Sequence, residues 1–120
     1  MPDPAPRPEP AVRLAEALDR IERENERLRA LVPEPGRRPR VLAREAALDA
    51  RRPDPSDRMP LFRVLLGIKD VFHVDGLETR AGTSLPPDVF RDSQGRAVIR
   101  LLDAGAIVLG KTRTDELAYA

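Results

Sequence analysis

Two short apolar stretches constrain what this chain can fold into. The first lies in "VLLGIKDVFHVDG" (64–76), rich in β-branched and apolar residues and closed by the turn signal Asp75-Gly76. The second is "AIVL" (106–109), a short run of the kind buried in a sheet. Between them "QGRAVIRLLDA" reads as a helix. Asp92 or Ser93 is placed to cap its start, and Gly105 stands where a helix-ending glycine belongs. Strand, long connection with a helix, strand is a βαβ unit, whose strands run parallel with a right-handed crossover. Parallel strands are normally buried on both faces and flanked by further strands. Two strands and one helix do not supply that, so the expected fold class is α/β, an incomplete part of a larger mixed-sheet domain.

Upstream the pattern is helical. Across 11–32, Leu14, Leu18, Ile21, Asn25, Leu28 and Val32 recur at spacings of four and three. Such a pattern suits a short coiled-coil seam with a polar residue fixing register. It equally suits an amphipathic helix lying on its own protein. The second reading is preferred, because about three heptads is the lower limit for a coiled coil. "PEPGRRP" (33–39) is expected to break this helix, and a second is expected over 40–52, with Val41, Leu42, Ala46 and Leu48 as its apolar content. "PDPSDRMP" (53–60) reads as a proline-punctuated linker. The chain thus divides into a disordered lead-in (1–10), a helical segment (11–59) and the start of an α/β domain (60–120). Thr112 or Thr114 is expected to cap a last turn through "DELAYA".

Composition removes several function classes. There is no cysteine, so disulfides and thiolate metal sites are excluded. A formal net charge of +1 gives no electrostatic case for nucleic acid or an anionic membrane. The proline-rich start lacks the apolar core of a signal peptide, and no apolar run approaches the roughly 18 residues of a membrane span. The expected location is the cytoplasm. Of 21 basic residues only Lys69 and Lys111 are lysines. Arginine stays charged, whereas a desolvated lysine can lose its proton and act as a base.

Lys111 falls in "GAIVLGKT" (105–112), which satisfies the phosphate-loop pattern G-x-x-x-x-G-K-[ST]. In such a loop the strand precedes the first glycine, and the four variable residues curl their N–H groups around phosphate. Here those four residues are strand-like and a helix comes before the glycine, leaving Lys111 after a strand end with no loop to aim it. Nucleotide binding is therefore rejected. His73 is the only histidine and reads as a side chain at a strand-to-turn junction. Ser56, Ser84 and Ser93 stand in no nucleophile-elbow setting, and Asp115 and Glu116 are adjacent rather than facing.

"PLFRVLLGIKDVFHVDGLETRAG" followed by "VIRLLDAGAIVLGKTRTDELAYA" resembles the opening of the amidase signature family, which includes the amide-processing A subunit of tRNA-dependent amidotransferases. That family shows P-L-x-G-[IV]-x-x-x-[IV]-K-D, then G-x-x-T-x-x-G-S, then a helix ending in A-G-A and a strand into G-K-T-x-x-x-E-F-A. The matching residues are Pro60, Leu61, Val64, Ile68, Lys69 and Asp70, then Gly76, Thr79 and Gly82. The match continues at Ala104 to Ala106 and at Gly110, Lys111, Thr112, Glu116 and Ala118. Arg63 departs from the pattern where glycine is usual, and Thr83 where serine is.

The resemblance implies a hydrolase of carboxamide C–N bonds that works through a serine nucleophile, a second serine with a cis peptide, and a lysine. It puts Lys69 at the lysine position, there to be desolvated at the end of an apolar strand. It implies no cofactor and no metal, a small-molecule amide as substrate, and no direct nucleic-acid or membrane partner. Both serines of the set belong to a segment downstream of these motifs, so the 120 residues alone are expected to be inactive, and their unpaired sheet edge and uncovered faces make marginal folding the expectation. The competing reading is a non-enzymatic interaction module that forms a homodimer through the 11–32 helix.

Overall fold

The computed structural model describes residues 10–51 and 59–119, with side chains from Leu14 onward in the first helix. The lead-in over 1–9, most of the linker and Ser56 lie outside the described residues. The elements are α1 (Pro10–Leu28), α2 (Arg37–Arg51), β1 (Leu65–Lys69), α3 (Arg96–Asp103) and β2 (Ile107–Thr112). Short 3-10 turns occupy Pro87–Phe90 and Glu116–Ala118. β1 and β2 pair in parallel, the expected α/β arrangement.

The two strands separate two cores. On one face, Leu14 and Leu18 of α1 and Val41 and Leu48 of α2 pack against Ile107, joined by Leu65, Phe62 and Leu109. On the other, Val98 of α3 packs with Ile68, Val74 and Val108, joined by Leu66 and Leu101. Alternation along β1 therefore sends Leu65 to the α1/α2 face and Leu66 and Ile68 to the α3 face. Leu14 and Leu18, the start of the suspected seam, are buried in the chain's own core. Asn25 lies off the core and accepts the N–H of Leu31 at 3.0 Å, so it stabilises the chain reversal after α1. The amphipathic reading of this helix thus describes the fold.

Several boundaries differ from expectation for local reasons. α2 begins at Arg37, inside the stretch read as a breaker. Pro39 sits in its first turn, where the missing N–H would have had no intrahelical partner. Gly95, not Asp92 or Ser93, occupies the N-cap of α3 without a side-chain bond. The Asp92 carboxylate instead accepts the N–H of Ser93. The α3 C-terminus does end on Gly105, at φ +95°. Gly105 N–H donates to the Leu102 carbonyl and Ala106 N–H to that of Leu101, the paired bonds of a Schellman stop. A Cβ on Gly105 would lie 2.8 Å from Cα of Phe62, so the stop also lets the 59–63 turn close onto the helix end.

β2 runs on through Gly110, Lys111 and Thr112, longer than "AIVL" suggested. Lys111 is thus inside a strand rather than beyond its end. Thr112 is a strand residue, and the last turn has Asp115 at its cap position without a side-chain bond. Residues 30–32 line the outer edge of β2: Val32 N–H donates to the Lys111 carbonyl and Arg113 N–H to that of Ala30.

Candidate active-site region

The C-terminal ends of parallel strands are where an open α/β sheet presents functional groups, and both lysines lie there. Leu66 pairs with Val108, but Gly67 pairs with Gly110, so Leu109 is an extra residue in β2. This β-bulge changes the parity of everything after it. Strict alternation from Ile107 would put Lys111 on the α1/α2 face. With the bulge it points to the α3 side, next to Asp70.

There Lys111 is 3% exposed and Asp70 2%. The Lys111 ammonium donates to Asp70 Oδ1 at 2.8 Å, to Thr79 Oγ1 at 3.2 Å and to the Glu78 carbonyl at 3.4 Å. Three acceptors match its three donors. Asp70 is held from two further sides. Its carboxylate accepts the N–H of Arg80 at 3.3 Å, and its own N–H donates to the Thr112 carbonyl. An open cleft of about 590 Å³ adjoins this pair, bordered by Pro33, Leu77, Glu78 and Arg80. Lys111 reaches its rim with all donors already engaged.

Lys69 is on the other face. It follows Leu65 and Gly67 by alternation, pairs in register with Thr112, and is exposed. Among the described residues it makes no ion pair. The expectation that Lys69 is desolvated by its own strand is therefore corrected: the apolar run before it supplies the neighbouring cores, and Lys111 is the buried lysine. Asp70, the obvious counter-ion for Lys69, is committed to Lys111.

Arg63, the residue that departs from glycine, adopts φ +64°, in the left-handed region glycine enters freely. Its N–H donates to the Gly105 carbonyl. Its buried guanidinium donates to Asp49 at 2.9 Å and makes an ion-pair contact of 3.0 Å with Glu45, off hydrogen-bond alignment. Glu45 and Asp49 are one turn apart on α2, so both reach one guanidinium. Burial pushes the Glu45 carboxyl above its ordinary range, against the lowering effect of Arg63 and with a further raising effect from Asp49.

The remaining sequence candidates stay apart from these clusters. His73 lies in the turn after β1 and uses its carbonyl to accept Gly95 N–H. Ser84 and Ser93 are exposed loop residues, and Asp115 and Glu116 are exposed at the start of the last 3-10 turn. Among the described residues no group of three His, Asp or Glu is placed to hold a metal ion. No described helix is long and apolar enough to cross a membrane. Sequence reasoning matched Asp70, Thr79 and Lys111 separately without joining them, and Glu45 gave no signal beyond its spacing from Asp49.

The family model described as Amidase matches residues 13–120, nearly all of the described chain. The chain belongs to the amidase family. It is similar to the A subunit of the glutamyl-tRNA(Gln) amidotransferase of Oleidesulfovibrio alaskensis, 37% identical over 101 residues, covering 84% of this chain and 20% of that protein. The corresponding A subunit from Myxococcus xanthus is 38% identical over 105 residues, covering 85% of this chain and 21% of its own length. A solved structure described as an amidase superposes with a TM-score of 0.62 at 34% identity, covering 92% of this chain and 25% of that one. The amidase segment described here thus spans about a fifth of the length of the curated relatives it matches.

Proposed function

We propose that these residues form the lysine-bearing part of an amidase that hydrolyses carboxamide C–N bonds, with Lys69 as the base. The observation that carries this is the setting of Lys69. It ends β1 in the amidase motif, its backbone is fixed by the ladder to β2, and its side chain is exposed at the strand end, beyond the part of that face that α1 and α2 pack against. A serine hydroxyl becomes an effective nucleophile when a neighbouring base takes its proton. In this reading the neutral Lys69 amine takes that proton through the bridging serine. Serine oxygen bonds to the amide carbonyl carbon, the C–N bond breaks, and the proton passes to the leaving nitrogen. Water then cleaves the acyl ester and restores the serine.

An amine is neutral near pH 7 only where burial or positive charge disfavours the ammonium. The described residues leave Lys69 exposed, so on this reading its cover comes with the serine-bearing segment. Because the relatives are named as subunits, assembly with other protein chains belongs to the same proposal. The test measures ammonia release from a simple carboxamide. The purified 120-residue chain is expected to release none. In an amidase-length protein carrying this segment, Lys69→Ala is expected to lower kcat at least about 10²-fold, the usual range for a proton-transfer group. Lys69→Arg is not expected to restore it, since a guanidinium does not deprotonate. Turnover by the short chain, or retained kcat in Lys69→Ala, would overturn the reading.

A further inference from the structure

Lys69 and Asp70 set a base beside an acid in sequence, and left to themselves such neighbours pair. A carboxylate within about 4–6 Å favours the ammonium form of an amine and so suppresses the free base. The structure separates the two. Strand alternation places their side chains on opposite faces, and the bulge at Leu109 brings Lys111 to the Asp70 side. Asp70 is buried and needs a cation, because an unpaired carboxylate in that setting is costly. Lys111 supplies it at 2.8 Å.

We propose that Lys111 is a positioning residue for Lys69: it neutralises the Asp70 carboxylate on the far face of the sheet, so that this neighbouring negative charge does not hold Lys69 in its ammonium form. This rests on the reading of Lys69 as the base. It also accounts for the second lysine in an arginine-rich chain. The site offers three acceptors of different kinds around one point: a carboxylate, a hydroxyl and a carbonyl. An ammonium with three rotatable donors fits them, and a rigid planar fork does not. Thr79 and Glu78 act as the support that keeps Lys111 turned toward Asp70.

The experiment acylates the 120-residue chain with limiting acetic anhydride at fixed pH and quantifies modified peptides by mass spectrometry. Only the neutral amine reacts, so the rate at Lys69 reports its free-base fraction. The chain's α-amino group serves as internal reference. In the unmodified sequence Lys69 is expected to react and Lys111 to be protected. In Lys111→Met the Lys69 rate is expected to fall about tenfold, because the uncompensated Asp70 carboxylate then favours the unreactive ammonium. In Asp70→Asn/Lys111→Met, where both charges are gone, it is expected to return to the original rate. An unchanged Lys69 rate in Lys111→Met with native helical circular dichroism would overturn the proposal. If Lys111→Met does not fold, the double variant decides: a Lys69 rate several-fold above the original would show that Asp70 acts on Lys69 despite Lys111. Failure of the base reading would appear separately, as amide turnover that survives Lys69→Ala, with the acylation rates unaffected.

Discussion

Replacing Arg63 with the glycine that the amidase motif carries should destabilise this chain, although it removes backbone strain. A non-glycine residue in the left-handed region costs about 1–2 kcal/mol, and Arg63 at φ +64° bears that cost. Glycine relieves it, but returns about 0.4–1 kcal/mol by loosening the unfolded chain. Against the gain stands the ion cluster. Arg63 and Glu45 are both buried, and removing one partner of such a pair typically costs about 3–5 kcal/mol. The net expectation is a loss of about 3 kcal/mol at pH 7. With a urea dependence of about 1–2 kcal/mol per molar, the midpoint followed by circular dichroism should fall by about 1.5–3 M.

The pH dependence gives the prediction a second handle. The Glu45 carboxyl is already raised in the fold, chiefly by burial, and Arg63 is the group that holds it down. Without Arg63 it rises further. A group raised in the fold stabilises in its protonated form. That contribution is complete below the unfolded value, about 4.5 for glutamate, and is lost as pH rises through the folded one. The deficit of Arg63→Gly relative to the parent should therefore narrow as pH falls from 7 toward 4.5. Adding Glu45→Gln should recover most of the loss at pH 7, because the uncompensated buried charge is then gone. Equal or greater stability of Arg63→Gly at pH 7, or a deficit independent of pH, would refute this account of Arg63.

Gly82→Ala should cost about 2–4 kcal/mol, above the bare left-handed penalty, because at φ +70° its Cβ would lie 2.6 Å from the Thr114 carbonyl oxygen. A urea midpoint within error of the parent would show that the loop yields freely. Leu18→Asp buries a charge at a position 0% exposed, and is expected to abolish the cooperative unfolding transition of the isolated chain. A folded Leu18→Asp monomer would mean that α1 does not belong to the core.

The architecture was legible where it rests on periodicity. The Leu14–Leu18 spacing locates the buried stripe of α1, and the alternation of apolar runs with a helix between them gives the parallel pair. Boundaries were less legible wherever backbone alone decides them. Gly95 caps α3 through its main chain, so the polar residues just before it were misleading. Pro39 reads as a breaker, although in the first turn of a helix the N–H it lacks has no intrahelical acceptor to miss. The partner of Arg63 was hidden for another reason: Glu45 is a typical surface residue by type, and its burial follows only from where α2 crosses the 59–63 turn.

The fate of the two lysines turns on one residue. Strand periodicity alone points to the lysine at the end of the apolar strand as the desolvated one. An inserted residue in the partner strand has no sequence signature here, since Leu109 is as apolar as Val108 beside it. Yet it decides which face every later side chain of β2 meets. Without it Lys111 would share the α1/α2 face with Lys69, two cations on one side of the sheet, and Asp70 would be buried with no cation across from it. With it, the carboxylate is neutralised internally and Lys69 stands alone at the strand end. The Lys-Thr and Lys-Asp elements of the amidase motif, far apart in sequence, are thus two halves of one device whose parity is set by the bulge between β1 and β2.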